Sequence, residues 1–133
     1  MATLMACYDD SGEREEILTY LNNNSLKYTD TLGIFVVITL PGDTMRPIET
    51  STISMSYKGK YLDGIEFDRT PENQKSKIKL SDANPGLQSG LSLFGKNGQG
   101  TILVPSGLGY GSNPPFGIRK NAILVYDVVV FDF

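Results

Sequence analysis

Asn84-Pro85-Gly86-Leu87-Gln88-Ser89-Gly90-Leu91-Ser92-Leu93-Phe94 is the one helical pattern set among strand-like segments in the second half of the chain. Asn suits a helix cap and Pro the first helical position, and Leu87, Leu91 and Phe94 recur at a three-to-four spacing until Gly95. The spacing predicts a helix over residues 85–94 with a single apolar face. On either side the pattern changes to strands. Residues 32–40 are rich in β-branched and aromatic side chains, and Ile53, Met55 and Tyr57 alternate with polar neighbours. Asp63-Gly64 turns residues 58–62 back into 65–68 as a hairpin, and residues 76–80, 100–104 and 121–133 read as further strands. Residues 43–50, 69–75 and 105–120 are loops by their Gly, Pro and polar content. A mostly antiparallel sheet needs its apolar face covered, and the 85–94 helix is the only internal element to cover it, so the fold class is α+β.

Ahead of this region, Asp10 and Glu13 fit a capping-box variant, and Ile17, Tyr20 and Leu21 fall at helical spacing before Asn22-Asn23-Asn24. An amphipathic helix over residues 11–21 is expected.

With 133 residues the chain makes one domain with one core. Its 12 basic against 15 acidic residues give a formal charge of −3, with no basic run interleaved with aromatics, so nucleic acid is not an expected partner. Histidine is absent, which removes Ser-His-Asp and Cys-His nucleophilic schemes and every His-containing zinc site. A single cysteine, Cys7, allows neither an internal disulfide nor a cysteine metal cluster. Any activity must therefore work without thiols or metals, and no cofactor is expected.

Seven short segments then appear in order: Tyr57-Lys58-Gly59, Asp63-Gly64, Phe67-Asp68, Asn84-Pro85-Gly86, Val104-Pro105-Ser106, Gly109-Tyr110-Gly111 and Ala122-Ile123-Leu124-Val125-Tyr126-Asp127. Over roughly the last eighty residues this order resembles the FKBP-type peptidyl-prolyl isomerases, as judged against the length of one domain. The resemblance implies a bent antiparallel sheet wrapped around one short helix, with the amino-terminal helix added outside it. It divides the chain into a flexible segment (residues 1–10), a helix-and-strand extension (11–50) and an FKBP-type domain (51–133).

The same resemblance implies an apolar pocket. Tyr57 and Tyr126 fall on wall aromatics, Phe67 on the ring that meets proline, Asp68 on a buried carboxylate, and Tyr110 on the hydroxyl that bonds a ligand carbonyl. Ala83, Asn84, Leu87 and Ile118 fall on substrate-binding positions, Asn84 through its backbone N–H. Taken singly, Tyr57, Phe67 and Tyr126 read more readily as ordinary strand core, and Tyr110 as a tyrosine that plugs its loop. Departures are visible: Leu87 replaces a tryptophan floor, Asn84 an aliphatic residue, Ser76 a wall aromatic, and Arg119-Lys120 a pair of prolines.

Leu4-Met5-Ala6-Cys7 resembles the lipobox of bacterial lipoproteins, whose cysteine is acylated, although too few residues precede it for a complete signal. The reading that follows is a proline isomerase acting on proline-containing polypeptides, monomeric, and anchored through Cys7 in a bacterial envelope, whether periplasm or outer membrane. The competing readings are a peptide-binding module of the same fold, a purely structural envelope lipoprotein, and a cytoplasmic chain with a free cysteine.

Overall fold

The structure, a computed structural model, describes residues 12–133; Cys7 and its lipobox-like motif, together with Asp10, lie outside the described residues. In chain order the elements are α1 (Glu13–Asn23), β1 (Thr29–Thr31), β2 (Ile34–Leu40), β3 (Thr52–Lys60), β4 (Glu66–Arg69), β5 (Ser76–Lys79), α2 (Pro85–Leu91), β6 (Gln99–Val104) and β7 (Leu124–Asp132). Short 3-10 turns at Leu80–Asp82 and Ser106–Leu108 precede α2 and follow β6.

The strands form one antiparallel sheet in the order β1-β2-β6-β7-β3-β4. Beyond β3 the edge is shared: β5 pairs with Thr52 to Met55, and β4 with Lys58 to Lys60. The register sets two parallel rows of side chains across the centre. Val36, Ile102 and Tyr126 stand opposite one another on one face, and Phe35, Leu103 and Val125 on the other. The first row belongs to the main core, where Leu87, Leu91 and Phe94 close over the sheet from α2 and its C-terminal turn. The second is covered by Ile17 and Leu21 of α1, both fully buried, each contributing roughly 1.5–3 kcal/mol of burial. This is the expected α+β arrangement, with α1 on the face of the sheet away from α2.

Local differences from the sequence reading have local causes. Leu32 and Gly33 sit at φ 53 and 82, a two-residue hairpin turn with both residues left-handed, so the strand starts at Ile34 and Leu32 is exposed. α2 ends at Leu91 because Leu93 and Phe94 donate to carbonyls only three residues back, which tightens the last turn. α1 is shifted by two residues relative to the expected span, and its N-cap is Gly12, which supplies no side-chain cap. Glu13 is not a local capping residue either. Its carboxylate instead accepts from the backbone N–H of Ser106 at 2.7 Å and from the Ser106 hydroxyl at 2.6 Å.

Candidate functional site

Tyr57 and Gly59 on β3, Tyr61 just beyond it, and Tyr126 on β7 face the helix side of the sheet. Phe67 reaches the same place from β4. Gly59 pairs with both Asp68 and Tyr126, and a Cβ built on it would lie 2.7 Å from the Phe67 Cζ atom. The ring of Phe67 therefore rests on bare backbone, which explains the glycine. From there it meets Tyr126 edge-on at 5.8 Å and Tyr61 at 5.1 Å between centroids, and Tyr57 stands 6.5 Å from Tyr126. Spacings of this kind are those at which aromatic pairs attract beyond simple burial. Tyr61 is a residue that the sequence reading missed, although its even spacing from Tyr57 and Gly59 along one strand face was available.

The hydroxyl groups are held separately. Tyr57 donates to Asp68 Oδ2 at 2.6 Å, while Asp68 Oδ1 accepts from the Arg69 N–H at 2.9 Å. Asp68 is thus hydrogen-bonded, but it is exposed and not buried as the resemblance implied, because β4 is an edge strand and its carboxylate stands at the rim. Tyr126, almost fully buried, accepts from the Asn84 side-chain amide nitrogen at 2.9 Å, and the Asn84 side-chain oxygen Oδ1 caps α2 by accepting from the Leu87 N–H at 2.9 Å. Asn84 accordingly joins the helix start to the aromatic wall, which an aliphatic residue there does not do. Its own backbone N–H makes no hydrogen bond among the described residues, a donor left available at a buried position.

Burial first, then the bond to Asp68, pushes the Tyr57 phenol well above its ordinary value of 10.0. Burial also dominates at Tyr126, with the neighbouring Tyr110 pushing in the same direction and the Asn84 amide against it. Both phenols stay protonated across ordinary assay conditions and serve as hydrogen-bonding groups, not as bases.

Ala83, Leu87 and Tyr110 border the same cluster, Leu87 buried and Tyr110 half-buried. Ile118, half-buried further along the 105–121 loop, is not part of it. The structure therefore brings together Tyr57, Phe67, Tyr110, Tyr126, Ala83, Asn84 and Leu87, sets Asp68 at the rim, and leaves Ile118 outside. A cleft of about 730 Å³ opens along β3 and β7, lined by Tyr57 together with Ser56, Lys58, Asp127, Val129 and the 69–75 loop, without Phe67, Tyr110 or Tyr126. Among the described residues no cluster of acidic or sulfur ligands is placed to hold a metal, and none of the described helices is long and apolar enough to cross a membrane.

The sheet closes over one short helix, and a cluster of packed aromatic rings stands beside the helix start. The family model for FKBP-type peptidyl-prolyl cis-trans isomerase matches residues 43–131, and the chain belongs to that family. The isomerase FkpA of Escherichia coli strain K12 is 30% identical over 105 residues, covering 78% of this chain and 39% of that protein. FkpA of Buchnera aphidicola from Schizaphis graminum is 35% identical over 85 residues, or 63% and 34% of the two chains. The crystal structure of Escherichia coli FkpA superposes with a TM-score of 0.78 at 29% identity, covering 90% of this chain and 56% of the other. The chain thus spans a little over a third of the length of these curated relatives.

Proposed function

We propose that this chain is a peptidyl-prolyl cis-trans isomerase that rotates X–Pro bonds of polypeptides at the aromatic cluster of Phe67, Tyr110 and Tyr126. Family membership supports the reading, and the observation that carries it is the convergence of the Tyr57, Phe67 and Tyr126 rings beside Asn84, whose backbone N–H makes no hydrogen bond among the described residues. Rotation about an X–Pro bond is slow because amide resonance is lost at the twisted geometry, behind a barrier of about 20 kcal/mol. The twisted amide has less charge separation than the planar one. Transfer of the proline from water onto the Phe67 and Tyr126 rings therefore disfavours the planar ground state more than the transition state. The Asn84 N–H and the Tyr110 hydroxyl hold flanking carbonyls while the bond turns. No step needs a nucleophile or a metal, in keeping with a chain without histidine.

The test is the rate of proline isomerisation in a short peptide with and without the protein. Tyr110→Phe, which keeps the ring and deletes the donor, should lower kcat/KM by about five- to tenfold, the worth of one hydrogen bond of about 1 kcal/mol or slightly more. A wild-type rate equal to the uncatalysed one rejects the enzyme and leaves a peptide-binding module.

We infer further that the chain is held at a bacterial envelope membrane through acylated Cys7, with exported polypeptides as substrates; the lipobox-like Leu4-Met5-Ala6-Cys7 supports this. Mass spectrometry of the protein from its native host should show the chain starting at a lipid-modified Cys7. An unmodified cysteine in a chain retaining residues 1–6 rejects the anchor.

A further inference from the structure

The 105–121 loop carries Tyr110, yet it is held at its two ends by side chains from elsewhere in the chain. At its start, Glu13 of α1 takes both the N–H and the hydroxyl of Ser106, a pair of charge-assisted bonds across 93 residues of sequence. At its end, the Arg119 guanidinium lies 4.0 Å over the Tyr61 ring and bonds Asp63 Oδ2 at 2.9 Å, while the Arg119 N–H donates to the Tyr61 hydroxyl at 3.0 Å. The two ends of the loop are joined next to Tyr110. Gly111, its neighbour, donates to the Ser106 carbonyl at 3.0 Å and accepts from the Asn121 N–H at 2.8 Å, so displacement of either end passes to the segment that bears the phenol.

The geometry points to Glu13 and Arg119 as positioning residues that clamp the loop and thereby set the affinity of the site for its polypeptide substrate. The amino-terminal helix becomes part of the working site by this arrangement, although it packs on the face of the sheet away from α2. Arg119 stacks on Tyr61, and Tyr61 stacks on Phe67, so the second grip also bears on the ring proposed to receive proline. The inference rests on the isomerase reading for its kinetic consequence, and on the loop alone for its structural one.

Four variants test it: Glu13→Ala, Glu13→Gln, Arg119→Ala and Arg119→Lys, each measured for KM, kcat, melting temperature and amide hydrogen exchange in the loop. Glu13→Ala and Arg119→Ala should each raise KM about fivefold, the loss of roughly one hydrogen bond's net worth, with kcat within about twofold. Exchange should quicken at Ser106 and Gly111, and both conservative variants should recover part of each effect. Unchanged KM and unchanged exchange overturn the clamp, as does a fall in kcat at constant KM. If the wild type shows no turnover, the isomerase reading fails separately, and exchange decides the clamp: faster loop exchange in the alanine variants upholds it, and unaltered exchange rejects it.

Discussion

Phe94→Ala should lower the unfolding free energy by about 3–5 kcal/mol, the largest stability loss expected of a single truncation in this chain. The ring is fully buried where the C-terminal turn of α2 meets the sheet. Its far side lies against bare backbone: Cβ atoms added at Gly100 and Gly98 would come within 2.9 and 3.1 Å of it. A cavity bounded by the main chain of β6 closes poorly, since hydrogen-bonded strands move less readily than side chains, so the cost should fall in the upper part of that range. Denaturant melts with a slope unchanged from wild type would measure it, and the melting temperature should fall by roughly 10–20 °C. Phe116→Ala supplies the contrast. That phenylalanine, in the 105–121 loop, is fully exposed, and its truncation should change stability by less than about 0.5 kcal/mol. Equal losses from the two variants would mean that Phe94 does not close the core in solution.

What the sequence made legible follows the range of the interactions. The Asn84-Pro85 helix start and the Asp63-Gly64 turn are local chemistry, and both stand in the structure: Asn84 caps Leu87, and Gly64 sits at φ 91 with Ile65 donating to Asp63. The Leu32-Gly33 turn escaped because leucine tolerates a left-handed backbone only when the strands on either side impose it. Glu13 was assigned to a helix cap, the local role its spacing suggests, whereas its partner lies 93 residues away. Asp68 was expected to be buried because the resemblance set it on a buried carboxylate, and the order of family-like segments does not say whether its strand ends at an edge. The gathering of Tyr57, Phe67, Tyr110 and Tyr126 was readable only through the order of the family-like segments, since each tyrosine alone has the pattern of an ordinary core residue.

Phe67→Ala should cut kcat/KM for proline isomerisation by about ten- to a hundredfold, the kinetic equivalent of losing the roughly 1.5–3 kcal/mol that an apolar aromatic surface contributes to holding the proline out of water. The melting temperature should change less than in Phe94→Ala, because the Phe67 side chain is only half-buried on an edge strand. Truncation alone does not separate the ring's chemistry from its bulk, and Gly59→Ala does. Residue 59 has no left-handed backbone requirement, so alanine is conformationally allowed there. Its methyl group would, however, stand 2.7 Å from the Phe67 Cζ atom and 3.0 Å from Cε1, closer than carbon atoms pack. The ring must tilt away from β3, towards Tyr61 and Tyr126, while every aromatic atom remains present. If proline is received on the face of that ring, Gly59→Ala lowers kcat/KM about tenfold or somewhat less, in a protein that still unfolds cooperatively. Wild-type turnover in Gly59→Ala, with the ring shown to be displaced by its aromatic proton shifts, would remove Phe67 from the catalytic surface and leave Tyr110 and the Asn84 N–H to account for the rate.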